Sequence, residues 1–328
     1  SSYSAWAHGA APQPSQADDG RDIDAQSQEG SGPEATSNGT IAAETGGSRR
    51  SWPAAGPLAG FPRGAGPGEA LHRILERIDY QQPAHGPATA IVVEQELERA
   101  GLDASQQPPL LDGLEQLRLT PLGGPLGRFR LADLPVPQRL NEMNFDLPLA
   151  VASEPPDALV RASGLARVFQ RHPGGLFGSR YAERLAQLQV ASRGFLTGSI
   201  DLVFRCGERW WVADWKSNWL GERDEQGQPL ACGPAHYGQT AMVELMAANH
   251  YPLQAHLYLV ALHRYLRWRL PGYEPERHLG GYAYVFLRGA PGRLDLEEPQ
   301  AAVPGMLVEQ PPLQRLLALD ALLREGQP

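Results

Sequence analysis

The stretch that most constrains this chain runs from Arg193 to Gly221, RGFLTGSIDLVFRCGERWWVADWKSNWLG. Apolar and polar residues alternate with a period of two from Ser199 to Arg205 and again from Arg209 to Lys216, and both runs are rich in β-branched and aromatic side chains. Two strands joined at Gly207-Glu208 are expected, with the glycine first in a type II′ turn. If Cys206 and Arg209 flank that turn, Asp201 stands opposite Asp214, Val203 opposite Val212 and Ser199 opposite Lys216. Asp201, Asp214 and Lys216 then share one face. Ile200, Leu202, Phe204, Trp211, Ala213 and Trp215 make an apolar surface on the other.

Opposed side chains in a sheet have β-carbons only about 5 Å apart, so two facing carboxylates repel unless a cation sits with them. Carboxylate oxygens suit hard divalent ions such as Mg²⁺ or Mn²⁺. The alternative is a solvated acidic strand face partly neutralised by Lys216. Lys216 is the only lysine of the chain, every other basic residue apart from histidine being arginine. A compact ammonium can stabilise a developing phosphate anion or orient a water as a point charge, which a planar guanidinium does less well.

The 328 residues suffice for one large domain or two small ones. The chain does not begin with Met, has no apolar signal-peptide core, and holds nothing near the roughly 18 apolar residues of a membrane span. Cys206 and Cys232 are too few for a disulfide framework, so a reducing cytoplasm is the expected compartment. A net charge of -8 argues against indiscriminate attraction of the whole chain to nucleic acid, but leaves room for a local basic groove.

Residues 1–60 are rich in Ser, Gly, Ala, Pro, Gln and Asp and read as a flexible linker, with a globular domain over 61–328. Helices are expected over Gly68 to Tyr80, Ala88 to Ala100, Pro109 to Leu119, Gln239 to Ala248, Tyr251 to Arg269 and Leu313 to Leu323. Gly281 to Arg288 reads as a strand. His72 lies beside the apolar stripe of the first helix, where a lone histidine is commonly a packed or surface residue. Arg139 to Leu149 reads as an extended segment with Glu142, Asn144 and Asp146 on alternate positions, either a solvent-facing side or the source of one carboxylate for a metal site. Arg161, Arg167, Arg171, Arg180 and Arg184 are candidates for phosphate contacts, or else a charged helix surface. Gln254 and Tyr258 are four apart and share a helix face. No GxxxxGK[ST] phosphate loop occurs, so no ATP-driven step is expected within this stretch.

GSIDLVF, VADWKSNWLG and YPLQAHLYLVALHRYL, in that order, resemble the C-terminal nuclease domains of RecB-type subunits of RecBCD helicase-nucleases (exonuclease V), within the PD-(D/E)XK superfamily. The resemblance runs from about Phe61 to the C terminus, and the opening SSYS resembles the end of the preceding helicase region. It implies an α/β, restriction-endonuclease-like fold with a mixed central sheet flanked by helices. It implies that Asp201, Asp214, the main-chain carbonyl of Trp215 and His72 are metal ligands, that Asp201, Asp214 and Lys216 are catalytic, and that Glu142 is an additional acid. It further implies that Gln254 and Tyr258 support DNA or the site.

The expected activity is Mg²⁺-dependent hydrolysis of single-stranded DNA and duplex ends, with Mn²⁺ as a substitute, in double-strand break repair. Partners of RecC and RecD type are implied. So is an alternative role as a tethered module that docks on RecC and helps load RecA. Two cysteines cannot supply the four-cysteine cluster of iron-sulfur relatives such as AddB.

Overall fold

The computed structural model describes Trp6 and residues 51–150 and 159–326. Three helices come first: α1 (Ala65–Arg77), α2 (Pro87–Arg99) and α3 (Gln107–Leu119). The short strands β1 (Pro121–Gly123) and β2 (Gly127–Arg130) precede the long β3 (Arg139–Leu149). β4 (Val160–Arg161), α4 (Ala162–Arg171), α5 (Ser179–Leu185) and β5 (Ala191–Ser192) lead to the hairpin of β6 (Gly194–Cys206) and β7 (Arg209–Lys216). Then follow α6 (Gln239–Ala248), α7 (Tyr251–Arg269), α8 (Pro275–His278), β8 (Leu279–Phe286), β9 (Met306–Glu309) and α9 (Leu313–Glu325).

The central sheet has the order β3-β6-β7-β8-β9. Every pairing is antiparallel except β7 with β8, which is parallel and needs the crossover through α6 and α7. The fold is therefore the α/β arrangement expected, a mixed five-stranded sheet flanked by helices. One core packs the sheet against α4 to α7 and α9, with Phe169, Tyr181, Met242, Leu257 and Leu319 among its residues. The second packs the opposite face against α1 to α3 through Leu71, Ile74, Val93 and Leu114. All eight residues of β8 are buried, as a central strand covered on both faces requires.

The hairpin register matches the turn argument: Cys206 pairs with Arg209, Phe204 with Trp211, Val203 with Val212 and Leu202 with Ala213. Gly207 has φ +61, while Glu208 is not among the positive-φ residues, as a type II′ turn demands. Beyond Ala213 the expectation fails. Asp201 and Asp214 do not continue the ladder; instead Asp201 Oδ2 accepts the Trp215 N–H at 2.8 Å, a carboxylate taking the place of a strand carbonyl. Nor does Ser199 pair with Lys216, because the β6–β7 ladder ends at Leu202↔Ala213.

Ile200 also departs from the expected apolar face. Residues two apart in a strand normally share a face. Ile200 nevertheless packs into the first core with Leu196 and Met143, whereas Leu202 and Phe204 pack into the second. The cause lies on the neighbouring strand, where Glu142 has φ +50 and the ladder passes from Asn141↔Leu202 to Met143↔Ile200 without a pair between them. β3 and β6 exchange faces together at Glu142 and Asp201.

Most of the expected linker lies outside the described residues. The parts that are described pack onto the fold: Trp6 is buried and donates its indole N–H to Ser192 Oγ at 2.9 Å, and Leu58 is buried in the second core. Arg288, itself buried, donates to the carbonyls of Leu58, Phe61 and Pro62. Packing thus begins ahead of residue 61.

Candidate active site

The hairpin places Asp214 and Lys216 at the C-terminal end of β7, with Asp201 of β6 tied to the same strand through Trp215. Lys216 and Asp214 are two apart on that strand and share a side, with Nζ 2.9 Å from Asp214 Oδ2. Both side chains are almost fully covered. The ammonium also lies 3.9 Å from the centroid of the Tyr251 ring and 5.5 Å from that of Tyr284. A lysine can be buried here because a carboxylate and two aromatic faces replace its water. The Lys216 ammonium thus neutralises Asp214 directly and acts on Asp201 only through its charge.

Asp201 joins from the point where β6 changes faces. Its Oδ1 lies 3.3 Å from His72 Nδ1 on α1, and its Oδ2 is held by the Trp215 main chain. Burial alone would raise the Asp201 carboxyl, but His72, the Trp215 N–H and the charge of Lys216 together hold it below the usual carboxylate range. His72 and Asp201 keep about a fifth of their side-chain surface exposed, while Asp214 and Lys216 keep almost none. The site therefore opens to solvent on the α1 side.

Glu142 stands across the strand pair from Asp201, between Asn141↔Leu202 and Met143↔Ile200. Asp146 pairs with Thr197 further along β3 and is exposed. Of the two acids, Glu142 is the one opposite Asp201. Gln254 is fully buried on α7 and accepts the Tyr284 hydroxyl at 2.7 Å; the same hydroxyl lies 3.2 Å from the Tyr251 carbonyl. Gln254 thus holds the Tyr284 ring beside Lys216 from a fully buried position. Tyr258 packs edge-on against Phe145 of β3. The Trp215 side chain points into the second core, so only its main chain serves the site.

Tyr251 and Tyr284 were not singled out from the sequence. Each lies one step from something that was: Tyr251 precedes Gln254 by three residues on α7, and Tyr284 pairs with Asp214 in the parallel register. Of the candidate phosphate contacts, Arg167 and Arg171 on α4 and Arg180 and Arg184 on α5 are exposed, and Arg161 on β4 is partly buried.

Among the described residues no three His, Cys, Asp or Glu side chains gather into a metal-ligand cluster by themselves. The donor chemistry nevertheless fits a hard cation. His72 and Asp201 set an imidazole nitrogen beside a carboxylate, donor types that a divalent ion accepts. Also among the described residues, no helix is long and apolar enough to cross a membrane.

No family model matches the chain. The curated relatives include the RecBCD enzyme subunit RecB of Mycobacterium tuberculosis, 36% identical over 293 residues, and that of Mycolicibacterium smegmatis, 36% identical over 284 residues. Each alignment takes in 83% of this chain. The RecB subunit of Escherichia coli is 37% identical over 243 residues, or 74% of this chain. The chain spans 25% of the length of the mycobacterial subunits and 18% of the Escherichia coli one. Over that stretch it is related in sequence to RecB.

Proposed function

We propose that this chain is the DNA-cleaving module of a RecBCD-type helicase-nuclease, a metal-dependent deoxyribonuclease of PD-(D/E)XK type acting in double-strand break repair. The observation that carries the reading is the buried Lys216–Asp214 pair on β7 beside Asp201 of β6, itself paired with His72 of α1. A solvated acidic strand face would not bury its only lysine against two aromatic rings.

His72, Asp201, Asp214 and the main-chain carbonyl of Trp215 would hold Mg²⁺, with Mn²⁺ as a substitute. The bound ion supplies Lewis-acid stabilisation of phosphoryl oxygens and a more acidic water. The chain's own groups do the rest. Asp201, kept ionised, orients His72 and anchors the Trp215 main chain. Lys216 offers a preorganised positive charge to a phosphoryl oxygen or the attacking water, and its aromatic walls keep competing water away. Glu142 supplies a further carboxylate opposite Asp201, while Gln254 fixes Tyr284, whose hydroxyl also reaches the Tyr251 carbonyl. DNA strands delivered by a helicase motor are the proposed substrate, and RecC- and RecD-type subunits the proposed partners.

Digestion of linear single-stranded DNA in Mg²⁺ tests this reading. Asp214→Asn, which keeps the shape of the side chain but removes its charge, lowers the rate by about a hundredfold or more. Equal digestion by the wild type and the variant would sink the assignment.

A further inference from the structure

The five residues after Lys216 form neither helix nor strand, yet their backbone is pinned from two sides. Arg288 Nε donates to the Ser217 carbonyl at 3.2 Å. The Tyr237 hydroxyl donates to the Asn218 carbonyl at 2.7 Å and accepts the Leu220 N–H at 3.4 Å. Arg288 is also the residue that holds Leu58, Phe61 and Pro62. One buried guanidinium therefore joins the segment carrying Trp219 to the segment that ends in Arg63.

Trp219 is half-buried, packed on the first core at one edge. Its indole is seated on Gly221, where an added β-carbon would fall 2.7 Å from the ring. Two guanidiniums lie against this ring, that of Arg63 4.9 Å and that of Arg223 5.4 Å from its centroid. Both arginines are exposed, and among the described residues neither has a carboxylate partner. An aromatic ring with two exposed arginines free of direct ion pairs, three residues beyond Lys216, is a combination that grips single-stranded nucleic acid, even with Glu222, Asp224 and Glu225 beside Arg223. Bases of any sequence stack on such a ring while cations take the phosphates.

We infer that Trp219, Arg63 and Arg223 form a strand-holding platform: as the strand enters the site the two exposed arginines swing from the ring to flanking phosphates, and one base of single-stranded DNA stacks on the indole face they uncover. The inference rests on the nuclease reading for its substrate but not for its measurement.

Binding of a short fluorescein-labelled oligothymidylate, followed by anisotropy in EDTA, separates holding from cutting. Trp219→Leu weakens binding about tenfold, whereas Trp219→Phe stays within about threefold. On an abasic strand of the same length the Trp219→Leu penalty disappears, because no base is left to stack. Arg63→Gln and Arg223→Gln each reduce the salt dependence of log K by about 0.7. The platform is overturned if wild type fails to bind, if Trp219→Leu binds like wild type, or if its penalty persists on the abasic strand. Should Trp219→Leu misfold, Trp219→Phe and the salt slopes of the arginine variants decide. Asp214→Asn that binds normally but does not cut leaves both readings standing. If it binds and cuts normally, only the nuclease reading fails.

Discussion

At the scale of the residue, the chemistry turns on how one ammonium is housed. Lys216 has exchanged water for the Asp214 carboxylate and the faces of Tyr251 and Tyr284. A cation–π contact removed from water contributes about 2 kcal/mol, and here it also sets where the charge sits. Tyr251→Leu therefore lowers single-turnover cleavage of single-stranded DNA about tenfold at saturating enzyme, and Tyr251→Phe, which keeps the ring, loses less. Equal loss in both variants would show that the ring face does not position Lys216. Neither tyrosine stood out in the sequence, because an aromatic residue on a core-facing strand or helix reads as packing until its neighbour proves to be a charge. Lys216 could be read directly, as a sole lysine two residues from an aspartate.

At the scale of the element, the hairpin shows what periodicity can and cannot specify. The register from Cys206↔Arg209 to Leu202↔Ala213 was legible because turn geometry and alternation agree. Gly207→Ala tests the turn in isolation: nothing lies within 4 Å of an added β-carbon, so the cost is that of a left-handed backbone alone. Urea unfolding should show a loss of about 1 kcal/mol with cleavage unchanged. The face exchange at Glu142 and Asp201 was not legible. It depends on a positive φ at a glutamate, which no side-chain pattern announces, and it reassigns Ile200 to the opposite core. The helices α6 and α7 could be read to their ends, since their apolar residues are long runs bounded by polar loops. The Arg63–Trp219 contact could not, because it joins segments over 150 residues apart through Arg288.

At the scale of the whole molecule, two cores share one sheet, and the first contains a titratable group that resists protonation. Burial, and then the charge of Arg315, push the His256 imidazole down to about 3. An imidazole in the unfolded chain takes a proton near pH 6.5, so below that value the unfolded state binds a proton that the fold refuses. Stability from this residue is complete above pH 6.5 and is lost by about 1.4 kcal/mol per unit as the pH falls toward 3. Urea unfolding at a series of pH values should therefore be less steep in His256→Gln by one proton; identical slopes would refute the assignment. The parallel pairing of β7 with β8 has a different consequence, one of timing. Asp214 and Lys216 meet Tyr284 and Phe286 only after a crossover as long as the 70 residues from Arg209 to Leu279 has closed. Contacts so distant in sequence are slow to form. A partly folded chain can own the hairpin and still lack the walls around Lys216, so the candidate site is complete only once the crossover has closed.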